Sequence, residues 1–287
     1  MDSIKKIITN TKETANSPQY NQPQIVYRCD ECKDTGYILS GEGLDMVARI
    51  CKCQKIRNTE RKIKSARISK LLRNCTFDTF EYHYYSQKVQ SEHNRSYREL
   101  AKKAVDAAAA FVYNILQGQH PGSLMYIGKT GRGKTFLAAA IANELLERKP
   151  DTQLLFIVVP DLLNEIRSTY EKNTVTTEYE IIDAARNAEI LILDDLGAHN
   201  YSDWVKDKLY SIIDYRLQEQ LPTVITTNLP DPPAMSSVLG ERITSRVFQL
   251  CKTYPMASES DIRLINSYEQ MSNVFRKNNR EQGNNQE

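Results

Sequence analysis

Long apolar runs are missing from this sequence. Leu154–Val159 falls far short of the roughly 20 apolar residues that cross a bilayer and reads as a buried strand. No N-terminal apolar segment resembles a secretory leader, so a cytoplasmic location is expected. An excess of one charge is missing too. Lys and Arg number 38 against 36 Asp and Glu, a net of +2, so the whole-chain charge does not argue for nucleic acid; only local charge can. Cysteine is scarce. Six of them in a reducing compartment are expected as metal ligands or buried thiols rather than disulfides. No internal repeat is present. With 40% hydrophobic and 26% charged residues, the 287-residue chain can bury one large core plus a smaller one beneath a solvated surface.

What is there begins with Gly128-Lys129-Thr130-Gly131-Arg132-Gly133-Lys134-Thr135, which satisfies G-x-x-x-x-G-K-[ST] at every fixed position. Ser123–Ile127 before it reads as a buried strand, and Thr135–Leu146 after it carries apolar residues at helical spacing. Strand, glycine loop and helix is the order a phosphate cradle needs. The loop turns backbone N–H groups inward and the helix adds its positive end. Lys134 is then expected to reach the β- and γ-phosphates of ATP and the Thr135 hydroxyl to ligate Mg²⁺. A chance glycine turn between a strand and a helix is the bland alternative.

Residues 1–24 are polar, with one weak helix expected over Ser3–Thr14 and a linker around Pro18 and Pro23. Cys29-Asp-Glu-Cys32 and Cys51-Lys-Cys53 follow, separated by two alternating stretches, Asp34–Leu39 and Met46–Ile50, that suit a hairpin. Paired cysteines on two facing turns supply the soft ligands of tetrahedral Zn²⁺. The second pair is tighter than the usual C-x₂-C. Four reduced surface thiols are the alternative, and His83 and His93 are possible substitute ligands. Arg49–Arg73 carries ten Lys or Arg and one acid, Glu60: either a solvated helix face or a basic patch for phosphates or an acidic protein. Five aromatics crowd Cys75–Tyr85, suited to stacking on bases, to packing between domains or to lying beside an adenine. Arg95–Leu116 is expected as a helix with Ala101, Ala104, Val105, Ala108, Val112 and Ile115 on one face.

Beyond the glycine loop, strands are expected at Gln153–Val159, Glu189–Leu196, Thr223–Asn228 and Cys251–Pro255. Helices are expected at Asp161–Tyr170, Glu178–Ala188, Tyr201–Gln218, Ser236–Leu250 and Ile265–Lys277, before a disordered tail over 278–287. Such alternation implies an α/β domain with a mainly parallel sheet covered on both faces. The apolar strand ending in Asp194-Asp195 reads as a Walker B strand. Asp194 would hold Mg²⁺ and Asp195 would orient or deprotonate the attacking water. Helix caps are the weaker alternative for these acids. Asn228, at the end of another strand, can hold that water or the γ-phosphate. Arg242 and Arg246 lie four apart on one helix face, placed to reach a neighbouring subunit's nucleotide or simply to sit on the surface.

Gly128–Thr135, Leu191–Gly197, Thr226-Thr-Asn228 and Gly240-Glu-Arg…Ser-Arg246 together resemble the AAA+ ATPases of the DnaC/DnaI type, the bacterial and phage replicative helicase loaders. The Cys29–Cys53 segment and the Asn74–Phe80 junction resemble N-terminal parts of the same group. The IstB-type transposition helpers share the core motifs. The resemblance implies an ASCE P-loop sheet with strand 223–228 between the P-loop and Walker B strands, and a small N-terminal zinc-binding domain. It implies Asn228 as sensor 1, Arg246 as arginine finger with Arg242 beside it, and Arg263 as sensor 2. It matches Pro160–Tyr170 to a helix that meets single-stranded DNA, with Arg167 and Tyr170 as contacts. It implies self-association and a replicative DnaB-type hexameric helicase as partner. The organisation expected is an N-terminal helix and linker over 1–24, a cysteine-rich zinc-binding and basic region over 25–75, and an ATPase domain over 76–277. Asp195 stands where many AAA+ proteins carry Glu, which leaves two further readings beside the loader: a transposition helper, and a DNA-binding module that uses ATP as a switch.

Overall fold

A computed structural model describes residues 29–33, 35–40, 47–53, 66–88, 94–168, 177–198 and 201–268. The expected helix over Ser3–Thr14, His93, Tyr170, the tail and the stretch 54–65 of the basic run lie outside them. The chain divides into two compact units between Lys55 and Ile56. In the first, strands β1 (Tyr37–Ser40) and β2 (Val47–Ile50) form the expected antiparallel hairpin, with Tyr37 opposite Ile50.

The second unit carries a five-stranded parallel sheet. In chain order its elements are α1 (Tyr97–Leu116), β3 (Ser123–Ile127), α2 (Lys134–Arg148), β4 (Leu154–Val158), α3 (Val159–Ser168), α4 (Glu178–Asn187), β5 (Ile190–Leu196), α5 (Asp203–Gln218), β6 (Thr223–Thr227), α6 (Pro232–Leu239), α7 (Glu241–Leu250) and β7 (Cys251–Pro255). The strand order is β4-β5-β6-β3-β7, so β6 lies between the glycine-loop strand and the strand that ends in the two acids. Residues alternate between faces. Leu124, Tyr126, Ile192 and Val224 join the core beneath α1 and α2, whereas Met125, Leu191, Leu193 and Ile225 join the core beneath α3 to α7. Burial on both faces is why these strands read as unbroken apolar runs.

Local chemistry sets the helix ends. Ser96 caps α1 by accepting from the Glu99 N–H at 3.2 Å, while Glu99 accepts from the Ser96 N–H at 2.7 Å. The single helix expected over Ser236–Leu250 is two helices. Gly240, with φ of +87°, turns the chain between α6 and α7. Residues 66–75, which the sequence grouped with the cysteines, belong to the larger unit. Ala66, Ile68 and Cys75 are buried in its core, and Ala66 O accepts from Phe156 N–H on the sheet's edge strand. Within the basic run, Arg67 pairs with Glu165 and Lys52 with Glu31. No helix among the described residues is long and apolar enough to cross a membrane.

One buried cation holds the far end of the sheet, and nothing in the sequence pattern marks it. Arg216 on α5 is fully buried and donates to Thr223 Oγ1 and to the carbonyls of Ala185, Arg186, Ala188 and Pro222, at 2.8 to 3.2 Å. Three of those carbonyls end α4, where a cation also meets the negative end of the helix dipole. Burial lowers the Arg216 pKa to about 10, so the guanidinium stays charged at neutral pH. Arg216→Met keeps most of the volume but strands these acceptors. It should destabilise the protein by on the order of 3 kcal/mol in denaturant unfolding, and a change below about 1 kcal/mol would show that the clamp is dispensable.

Candidate functional site

The glycine loop leaves β3 at Gly128 and enters α2 at Lys134. It is held close on two sides. A Cβ at Gly128 would lie 2.0 Å from the Met256 carbonyl oxygen, and one at Gly133, whose φ is +83°, would lie 2.4 Å from the Tyr85 hydroxyl. Tyr85 OH donates to Arg132 O at 3.1 Å, and its ring stacks on Phe80, which meets Phe136 of α2 edge-on. The aromatic segment therefore packs against the glycine loop and the start of α2. On the other side Met256 N–H donates to Ile127 O at 2.8 Å, Ile262 N–H to Gly131 O at 2.9 Å, and Arg132 to Ser258 Oγ at 3.0 Å. Sequence reasoning gave no role to Met256, Ser258 or Ile262. Only their place after the last strand, which the order puts beside β3, could have flagged them.

Lys134 is 5% exposed. Its ammonium donates to Gly128 O at 2.7 Å, Lys129 O at 2.9 Å and Asn228 Oδ1 at 2.7 Å. Burial lowers its pKa to about 8, against the pull of Asp195 and Asp194 in the opposite direction. Asn228 then donates through Nδ2 to Asp195 Oδ1 at 2.7 Å. Thr135 Oγ1 donates to Asp194 Oδ1 at 2.9 Å, and Thr226 Oγ1 donates to the same oxygen at 2.6 Å. Asp194 is buried, and burial pushes its carboxyl up while the hydrogen bonds from Thr226 and Thr135 pull it back. A buried carboxylate beside a hydroxyl, with oxygen donors only, is a chemistry that suits Mg²⁺. The structure thus brings Lys134, Thr135, Asp194, Asp195 and Asn228 together at the ends of three adjacent strands.

The two acids share one side of β5 for a local reason. Leu193 pairs with Ile225 and Leu196 with Thr227, so Asp194 and Asp195 both stand opposite the single residue Thr226. This is a β-bulge, and Asp195 takes a φ of +60° within it. Strict alternation would send Asp195 to the opposite face. The extra residue keeps Leu193 and Leu196 in one core and leaves both carboxylates toward β6.

The arginines are more scattered. Arg263 is exposed and lies against Asp261, its Nε 3.9 Å from the carboxylate, and its charge helps depress Lys134, so it sits within electrostatic reach of the loop. Arg246 on α7 pairs with Asp214 at 3.0 Å and donates to Gln249 at 3.0 Å, and Arg242 lies over the Tyr210 ring at 4.3 Å. Both are thus engaged with their own subunit, on α5 and α7. Arg167 falls in the last turn of α3, and its side chain and Tyr170 are outside the described residues. In the smaller unit, the sulfurs of Cys29, Cys32, Cys51 and Cys53 all lie within 4.8 Å of one another. Cys29 to Cys51 is 3.7 Å and Cys32 to Cys53 is 3.3 Å. A tetrahedral ion with metal–sulfur bonds of about 2.3 Å has sulfur–sulfur edges of about 3.8 Å, so the set fits Zn²⁺. His83 faces Glu81 and Tyr84 instead.

Residues 40–260 match the family described as IstB-like ATP-binding proteins. The chain belongs to that family. Among its relatives is the replicative helicase loader DnaC of Escherichia coli K12, 30% identical over 188 residues, which are 66% of this chain and 69% of the relative. The replicative helicase loader DnaI of Bacillus subtilis is 26% identical over 235 residues, covering 80% and 70%. A crystal structure of DnaI superposes with a TM-score of 0.52 and 27% identity, covering 68% of this chain and 94% of that one. The parallel sheet and glycine loop of this IstB-like chain are accordingly the AAA+ P-loop fold.

The buried Lys134 ammonium makes a prediction about pH. If the Lys134 ammonium holds the phosphates, the incoming negative charge would raise its pKa from about 8. Binding therefore takes up a proton above that value. ATP affinity should be flat below about pH 7 and fall as pH rises through 8. Lys134→Ala should weaken binding by about 10- to 100-fold or more and abolish that slope. Titration with a fluorescent nucleotide, with circular dichroism as the folding control, checks both; unchanged affinity in the variant would contradict the cradle.

Proposed function

We propose that this protein is a Mg²⁺-dependent ATPase that loads a replicative hexameric helicase onto single-stranded DNA. The observation that carries the reading is the convergence of Lys134, Thr135, Asp194, Asp195 and Asn228 at three strand ends, in a chain whose relatives are replicative helicase loaders. In this reading ATP displaces the Lys134 ammonium from the Gly128 and Lys129 carbonyls, and the loop N–H groups together with Lys134 hold its phosphates. Thr135 and Asp194 would hold Mg²⁺, which would offset charge on the phosphate oxygens. Asp195 accepts a proton from the attacking water or orients it, and Asn228 fixes Asp195 and senses the γ-phosphate. The shorter reach of aspartate at this position goes with slow turnover.

Assembly completes the site. Arg246, and Arg242 beside it, act on the nucleotide of the neighbouring subunit, while Arg263 acts on its own. Arg246 must first leave Asp214, which makes hydrolysis conditional on the neighbour. Arg167 and Tyr170, on and beyond α3, contact single-stranded DNA. The cysteine-held N-terminal unit grips the helicase. The IstB-like family match keeps the transposition-helper reading beside the loader, and the switch reading is separated by whether ATP turns over. Co-expression with the replicative helicase of the same genome decides between loader and helper. A stable complex that delivers the helicase to single-stranded DNA in the presence of ATP is expected; DNA-dependent ATPase activity without any helicase complex would favour the helper.

The cysteine cluster makes its own prediction. Protein purified without chelator should carry about one zinc per chain, held as thiolates of Cys29, Cys32, Cys51 and Cys53. Chelation should abolish helicase binding and spare ATP binding. Metal analysis that finds no zinc would refute the site.

A further inference from the structure

We propose that Thr226 is the positioning residue that aims both acids of the site. Nothing in the motif singles it out from its neighbour Thr227, yet the two threonines do different things. Thr227 Oγ1 donates to Leu196 O at 2.6 Å and simply ties β6 to β5. Thr226 stands alone opposite the bulge. Its fully buried hydroxyl donates to Asp194 Oδ1 at 2.6 Å and accepts from the Asp195 N–H at 2.9 Å.

The bulge explains why a side chain is needed. Two residues of β5 oppose one of β6, so the ladder cannot satisfy every backbone group of the pair. The Asp195 N–H is one of those left over, and the Thr226 hydroxyl accepts it. The same oxygen spends its own proton on the Asp194 carboxylate. A single hydroxyl therefore fixes the left-handed backbone of Asp195 and the orientation of Asp194 together. Asp194 Oδ1 receives its second donor from Thr135. Thr226 thus stands behind the carboxylate that would hold Mg²⁺. Serine could make both hydrogen bonds; valine, with the same shape, could make neither. Cysteine keeps the size and only weak hydrogen bonding.

This role rests on the reading of Asp194 as a Mg²⁺ ligand, and the test separates the two. Full-length wild type, Thr226→Val, Thr226→Ser and Thr226→Cys are titrated with a fluorescent ADP analogue, first in EDTA and then across a Mg²⁺ series. Circular dichroism melts run in parallel. Residues behind a metal ligand typically change metal affinity by about 10–100-fold. The expected result is that Thr226→Val raises the Mg²⁺ half-saturation by about that factor with metal-free nucleotide affinity within about twofold of wild type. Thr226→Ser should restore the wild-type Mg²⁺ response. If valine does not fold, cysteine should show the same shift in part. A wild-type Mg²⁺ response in valine, or in cysteine where valine fails to fold, overturns the proposal, as does equal loss of nucleotide affinity with and without metal. If wild type binds the analogue with no Mg²⁺ dependence at all, it is the Asp194 reading that fails, and this proposal with it.

Discussion

A buried ammonium is the constraint on which this structure depends. Lys134 sits out of water, so its three donors must all be met. Two acceptors come from the glycine loop itself, at Gly128 and Lys129, and force that loop to curl over the amine. The third comes from Asn228, which requires β6 to lie directly beside β3. Asn228 then reaches Asp195, which requires β5 on the other side of β6. The strand order β5-β6-β3 is therefore the order that the amine's hydrogen bonds demand. An incoming phosphate would offer the same ammonium an ionised acceptor in place of neutral carbonyl oxygens, which adds coulombic attraction to the hydrogen bond. The closed network is thus poised to open toward an anion.

Around that centre the chain spends its irregularities. The regular parts of β3, β5 and β6 are filled by apolar residues on both faces and could be exchanged for others of like size with modest cost. Several departures from regularity gather at the loop: the left-handed Asp195, the doubled residue opposite Thr226, and the glycines pressed against Met256 and Tyr85. Strain of this kind persists only where neighbours over-determine it. Here the neighbours are the hydroxyl of Thr226, the amide of Asn228 and the segments on either side of the loop.

The sequence made the loop and the acid-ended strand legible because both are local patterns whose spacing reflects backbone geometry. Lys134 and Thr135 are fixed by their distance from Gly128, and Asp194 by the apolar run before it. The position of β6 between its neighbours came from resemblance, since strand order is a non-local property that periodicity does not encode. The bulge was hidden for a physical reason. A strand buried on both faces shows no alternation, so an extra residue leaves no gap in the pattern from Ile190 to Leu196. Arg216 was hidden because a buried arginine looks like any helical surface arginine until its carbonyl partners are known. The break at Gly240 was visible as a glycine, but an isolated glycine in a helical pattern does not by itself announce its φ. Residues 66–75 read as a continuation of the basic segment because Arg67, Lys70 and Arg73 are interspersed among the side chains that bind them to the larger core, Ala66, Ile68, Leu72 and Cys75.

The central claim is that ATP takes over the hydrogen bonds that now close the site. The most direct measurement is a crystal structure of the full chain with Mg²⁺ and a non-hydrolysable ATP analogue. The account predicts that the Lys134 ammonium leaves the Gly128 and Lys129 carbonyls for the phosphates, that the Thr135 hydroxyl and Asp194 share the metal, and that Asn228 stays on Asp195. A nucleotide bound elsewhere, with Lys134 still donating to Gly128, Lys129 and Asn228, would contradict it.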